Sequence, residues 1–142
     1  LLATRGNVYG SLGARISTGL HQGLVEPRVR AGDERLRAAV VAAVANGLVA
    51  SAFAAVAAVV VLTAIGTPVA PLPMLVAIAV LAGILSGVAL SAVVVTAVFA
   101  GYRRGRDPDT LVGPLVTTTG DVFGVLFLLG AVRLVLFVGG VV

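Results

Sequence analysis

Residues 103–128 read RRGRDPDTLVGPLVTTTGDVFGVLFL: three arginines, Asp-Pro-Asp, then a long apolar run with one carboxylate, Asp121, inside it. Asp107 suits a helix N-cap, Pro108 suits the first helical position, and Asp109 complements the positive end of the helix dipole. A helix rises about 1.5 Å per residue, which sets Asp121 on the order of 18–20 Å along it. A hydrocarbon core is roughly 30 Å thick, so that depth is past its middle. An aspartate there costs about 2.5–3.5 kcal/mol on insertion scales. Such a residue pairs, faces a water-filled cavity or binds a cation.

Composition agrees with a membrane setting. The chain is 59% hydrophobic and 11% charged, with a mean hydropathy of +1.14, which excludes an ordinary soluble domain. Cysteine is absent, so neither a disulfide framework nor a thiolate metal site can form. All ten basic residues are arginine and the net charge is +4. These arginines lie mostly in loops between apolar runs, which reads as a topology signal rather than as a nucleic-acid surface. The chain opens on Leu-Leu with no n-region or cleavage site after it, so the sequence reads as a piece of a longer membrane domain without a signal peptide.

Outward from the 103–128 segment the same logic divides the chain. In residues 1–22, Asn7, Ser11, Arg15, Thr18 and Gln22 recur at helical spacing, giving one polar stripe on an otherwise apolar helix. A stripe of this kind faces a cavity or partner helices. A hydrophilic connector, 21–37, follows with Pro27, four arginines and three acids; Asp33 can cap the next helix. Residues 38–65 and 74–102 are uncharged spans, joined by the turn Thr67–Pro73, and a last span covers 109–137. Asn46, the strongly polar member of the first of these spans, reads as an interhelical hydrogen bond. Gly83 and Gly87, extended by Ala79 and Ser91, form a close-packing row. Ser86 and Thr96 are expected to bond to carbonyls of their own helix. His21 reads as solvated. The loops 21–37 and 103–108 hold seven of the ten arginines and the intervening turn holds none, which places both loops in the cytoplasm and the C-terminus outside. The fold predicted is an all-α, polytopic transmembrane bundle in the cell membrane.

On the last helix Pro114, Thr117, Thr118, Asp121, Gly124 and Leu128 stand mostly three or four apart and form a second stripe. Pro114 lacks an N–H and so frees the carbonyl of Thr110. Hydroxyls, one carboxylate and a loose carbonyl are hard oxygen donors, suited to a cation such as Mg²⁺ that keeps several of its waters. One carboxylate per chain is thin for a divalent ion, and two chains or a fused second half would supply two. The competing reading makes Asp121 helix-packing glue, paired with Arg15 or Arg133 in a non-conducting assembly subunit. Arg15 and Arg133 can each instead snorkel to an interface. Gly113, Gly120 and Thr119 have packing explanations. A proton-coupled carrier is a third reading. An enzyme is excluded by the lack of an embedded His, Cys or Ser-His-Asp set, and the glycines follow helix-packing spacing rather than a phosphate loop.

Two segments resemble a known family. Arg5-Gly-Asn-Val-Tyr-Gly-Ser-Leu-Gly-Ala-Arg-Ile-Ser-Thr-Gly19 is similar to the Gly-Asn…Arg-(Leu/Ile)-Ser-Thr signature of MgtE-type divalent cation transporters and their eukaryotic solute-carrier relatives. Gly105-Arg-Asp-Pro-Asp109, Gly113-Pro114 and Thr117-Thr-Thr-Gly-Asp121 resemble the start of that family's last pore helix. The resemblance implies a Mg²⁺ channel or transporter, with Mn²⁺, Co²⁺ and Ni²⁺ as other ions, whose pore lies between two identical chains or fused repeats. It implies that Asp121 is the central ion-binding residue and that Asn7 lines the pore close to it. Ser11, Thr117 and Thr118 would orient the ion's waters. It also implies that residues 1–20 are the second half of a pore helix, within a five-helix domain. Some relatives carry an acid two residues after the Asn, where this chain has Tyr9.

Overall fold

The computed structural model describes residues 2–26, 28 and 33–139, leaving aside the side chains of residues 2–5 and 109. Its elements are α1 (Leu2–His21), α2 (Glu34–Ala64), α3 (Leu72–Arg103) and α4 (Pro108–Val138), with no strand among the described residues. Among the described residues three segments are long and apolar enough to cross a membrane: Glu34–Ala64, Leu72–Arg103 and Thr110–Val138. Starts follow local chemistry. The Asp33 carboxylate accepts the backbone N–H groups of Arg35 (3.1 Å) and Leu36 (3.0 Å), so α2 begins ahead of its uncharged run. Helix α3 starts after Pro71, with Pro73 in its first turn, where a missing N–H leaves nothing unsatisfied. Helix α4 starts at Pro108, directly after Asp107, and continues through Pro114. Pro27 and Arg30 of the connector lie outside the described residues.

The stops share one device that the sequence reading did not single out. Gly23, Gly66 and Gly105 adopt positive φ of 68°, 73° and 63°. After α1, Gly23 N–H donates to Leu20 O and Leu24 N–H to Gly19 O. After α2, Gly66 N–H donates to Thr63 O and Thr67 N–H to Leu62 O. After α3, Gly105 N–H donates to Tyr102 O and Arg106 N–H to Gly101 O. Each is a Schellman cap, in which a left-handed glycine turns two donors back onto otherwise orphaned carbonyls.

Contacts between named residues fix the directions. Gly83 of α3 faces Leu48 and Ser51 of α2, and Gly87 faces Val44, so these helices are antiparallel. Gly101 faces Leu111 of α4, and Leu90 faces Gly120, so α3 and α4 are antiparallel as well. Helices α1 and α3 both contact every other helix, whereas α2 and α4 do not touch each other among the described residues. The row Ala79, Gly83, Gly87, Ser91 is buried, as its small residues require for close approach. Ser86, also buried, donates its hydroxyl to Ala82 O of its own helix. Asn46 departs from expectation: it is exposed on α2, because its position falls on the side of that helix away from α1 and α3.

Tyr9 makes a close contact with two helices at once. It is buried, with its hydroxyl 3.0 Å from where a Cβ would stand on Gly47 of α2 and 2.5 Å from that point on Gly87 of α3. Two glycines thus form the slot that admits a tyrosine from α1. Leu12, Ile16 and Leu20 continue this face down the helix into the core, beside Leu90, Val94 and Val98 of α3.

Candidate functional site

Helix α1 has a sharp division between its faces. Tyr9, Leu12, Ile16 and Leu20 are buried, while Asn7, Ser11, Arg15, Thr18 and Gln22 are exposed. Burial of the first row holds the polar row outward, with Arg15, Thr18 and Gln22 toward the start of α2 and Asn7 on the side α1 shares with α4. Gly13 lets the two helices meet there, since a Cβ on it would collide with the Val112 side chain. Above that contact the helices part around a cavity of about 290 Å³ lined by Gly6, Asn7, Gly10, Gly113, Val116, Thr117, Gly120 and Asp121. Gly120 rests on Leu90, with a Cβ there 3.8 Å from the leucine methyls. Leu90 sits near the midpoint of α3, so the cavity lies near mid-depth of the apolar bundle.

The cavity offers oxygen. The Asp121 side chain is exposed, and none of the described arginines pairs with it. Thr117 donates its hydroxyl proton to Gly113 O at 2.9 Å, which leaves the hydroxyl lone pairs free to accept. Asn7 adds an amide, with one acceptor oxygen and two N–H donors. A metal ion that retains its water shell presents only O–H donors outward, and these groups can accept them. Six waters take up about 180 Å³ at their share of liquid volume, which the cavity can hold. Asp121 is the one carboxylate among the residues lining this cavity, and no group of three or more His, Cys, Asp or Glu is gathered anywhere among the described residues.

Of the residues singled out in the sequence, the structure brings Asn7, Thr117 and Asp121 around one space. Ser11, Thr118 and Pro114 are exposed but do not line it; Ser11 donates its hydroxyl to Val8 O at 2.7 Å. The stripe on α4 ends at Asp121. Gly124 is buried, and Leu128 packs beside Ile78, Ala82 and Ala131. The reason is geometric: the buried row of α4, Val112, Val116, Gly120 and Gly124, steps by four residues and is therefore inclined to the helix axis. By Gly124 it has swung into the position the stripe would occupy. Gly113 is a correction too, since nothing stands within 4 Å of a Cβ built on it; it keeps the cavity open rather than packing a neighbour. Gly6 and Gly10, which sequence reasoning passed over, have the same empty surroundings.

Other candidates lie elsewhere. Tyr9 points into the bundle, roughly opposite Asn7, and contributes no group to this cavity. Arg15 lines a separate cleft and Arg133 a groove at the far end of α4, and neither meets Asp121 within the chain. His21 is anchored rather than merely solvated: its Nδ1–H donates to Ser17 O at 2.8 Å, and its ring stands edge-on to Tyr102 at 5.6 Å.

Comparison with curated proteins and with solved structures gives no match. Against protein families, residues 1–131 match MgtE, described as divalent cation transporter. That match takes in the cavity, both helices that form it and all three long apolar segments but for the end of the last. The chain therefore belongs to the MgtE family of divalent cation transporters, an integral membrane transport family and not a family of enzymes.

Proposed function

We propose that this protein conducts Mg²⁺ across the cell membrane, with the ion held at Asp121 while it keeps most of its water. The observation that carries the reading is the meeting of Asp121, Thr117 and Asn7 around one cavity near mid-depth, in a chain whose family transports divalent cations. Asp121 supplies charge. Thr117 and Asn7 accept hydrogen bonds from the ion's waters, so the cation need not be stripped, which suits Mg²⁺ above ions that dehydrate readily. Ser11, Thr118 and Pro114 lie on the same open side and would border the passage once a second half closes it.

That second half is a further copy of the chain or a fused repeat, which brings a second carboxylate to the axis. In this arrangement the multi-pass bundle has its arginine loops, 21–37 and 103–108, in the cytoplasm, and the inward step is driven by membrane potential at about 2.3 kcal/mol per charge per 100 mV. Mn²⁺, Co²⁺ and Ni²⁺ are the competing cargoes to compare in the same assay.

The test is uptake by liposomes containing the protein within its full membrane domain. Asp121→Asn is expected to abolish Mg²⁺ flux while the helical circular dichroism and the melting temperature stay at wild-type values, because the side chain is exposed and has no partner among the described residues to lose. Flux equal to wild type in a folded Asp121→Asn variant would sink the assignment. A loss of assembly with no flux in the parent protein would favour the helix-glue reading.

A further inference from the structure

A second polar site lies where α1 ends and α2 begins, and the transport reading does not use it. A cleft of about 420 Å³ is lined by Arg15, Thr18 and Gln22 of α1, by Leu24 and Val25 of the connector, and by Arg35 and Leu36 of α2, among others. The connector is folded back over the end of α1: Val25 N–H donates to Gly19 O at 3.1 Å, and a Cβ on Gly19 would stand 2.8 Å from the Val25 side chain. Leu24 and Val25 thereby join Ile16, Leu36 and Ala39 as the apolar lining of a cleft that also holds the two arginines. Both arginines are exposed and neither has an acidic partner among the described residues. No acid lines the cleft; the nearest carboxylates in sequence are Asp33, occupied as the α2 cap, Glu34 and Glu26.

Depth separates this from a patch of surface charge. Tyr9 meets Gly47 of α2, and counting away from that contact along both helices sets Arg35 near the level of His21, so Arg15 starts six residues deeper, about 9 Å by helix rise. A side chain there reaches upward toward the interface and approaches Arg35 from below. Two cations at different heights in a cleft otherwise lined largely by apolar side chains match a phosphodiester together with the start of its acyl chains. A soluble anion has no use for the apolar lining.

We propose that this cleft binds the headgroup of an anionic phospholipid of the inner leaflet, with Arg15 and Arg35 on the phosphate and Thr18 and Gln22 donating to it. Arginine is suited to this because its planar fork holds phosphate oxygens in pairs, and basic pockets between helices on the cytoplasmic side are ordinary sites for such lipids.

Native mass spectrometry of the purified protein tests the proposal, with phosphatidylglycerol or phosphatidylcholine added in a neutral detergent. Wild type should retain phosphatidylglycerol over phosphatidylcholine by roughly 30-fold, from two arginines near the surface. Arg15→Gln/Arg35→Gln should lose most of that preference. Arg104→Gln/Arg106→Gln, which removes equal charge from the other loop, should keep it. If both double variants lose the preference alike, the effect is general electrostatics and the cleft is no site. Displacement of phosphatidylglycerol by millimolar inorganic phosphate would also overturn the proposal, showing a free-anion site with no role for the acyl chains. Should the double variant unfold, the single variants Arg15→Gln and Arg35→Gln decide by the same criterion, since each side chain is exposed and without an acidic partner among the described residues.

Discussion

Tyr9 and its two glycines show how much rests on single atoms. A Cβ on Gly87 would lie 2.5 Å from the tyrosine hydroxyl, and the buried ring, held between two helices, cannot swing away. Gly87→Ala should therefore destabilise the protein by about 1–3 kcal/mol, the usual range for overpacking. Adding Tyr9→Phe removes the colliding oxygen, so the double variant should be more stable than Gly87→Ala alone; thermal melts of the four proteins measure the coupling. Strict additivity would show that the hydroxyl is not what fills the slot. At the same scale, Thr117→Val removes a hydroxyl that lines the cavity and Thr118→Val removes one that does not. Flux should fall in the first by about tenfold and change far less in the second.

Among elements, the informative positions are those with no side chain. Gly10 and Gly113 face each other's helices across open space. Gly113→Val should fill that space and cut ion flux by at least about tenfold, with the melting temperature unchanged because no atom stands in the way; retained flux would mean that ions pass elsewhere. Gly105→Ala, by contrast, forces an L-residue into a left-handed cap and should cost about 1–2 kcal/mol of stability.

These cases mark what a sequence can disclose. Asp121 and Asn7 were legible because a polar group in an apolar run needs a reason. The buried and exposed faces of α1 were legible because helical spacing assigns them. Gly113 was not, since a glycine reads alike whether a neighbour presses on it or nothing does. The end of the α4 stripe at Gly124 was hidden for a related reason, because the slant of a contact row depends on the helix it meets.

For the whole molecule, the arrangement of charges predicts sidedness. The chain has no cysteine, so single introduced thiols report cleanly. Arg104→Cys and Gln22→Cys should react with a membrane-impermeant reagent from the cytoplasmic side only, and Thr67→Cys from the opposite side only. Labelling of all three from one side would overturn the topology. Helices α2 and α4 leave large apolar side chains outward, among them Phe53, Val60, Leu126 and Phe137. Such surfaces are compatible with lipid or with another helix, whereas the opening beside Asp121 is compatible with neither unless something polar completes it.

The bend from α2 into α3 carries this further. Thr67–Pro73 contains no charge, and the Gly66 cap has already turned the end of α2 back upon its own carbonyls. Dragging such a bend through hydrocarbon dehydrates no ion and exposes fewer bare backbone groups than an open helix end would. During biogenesis α2 and α3 are thus suited to enter as one preformed hairpin, tip first, while the arginines on either flank stay behind as the brake that stops it.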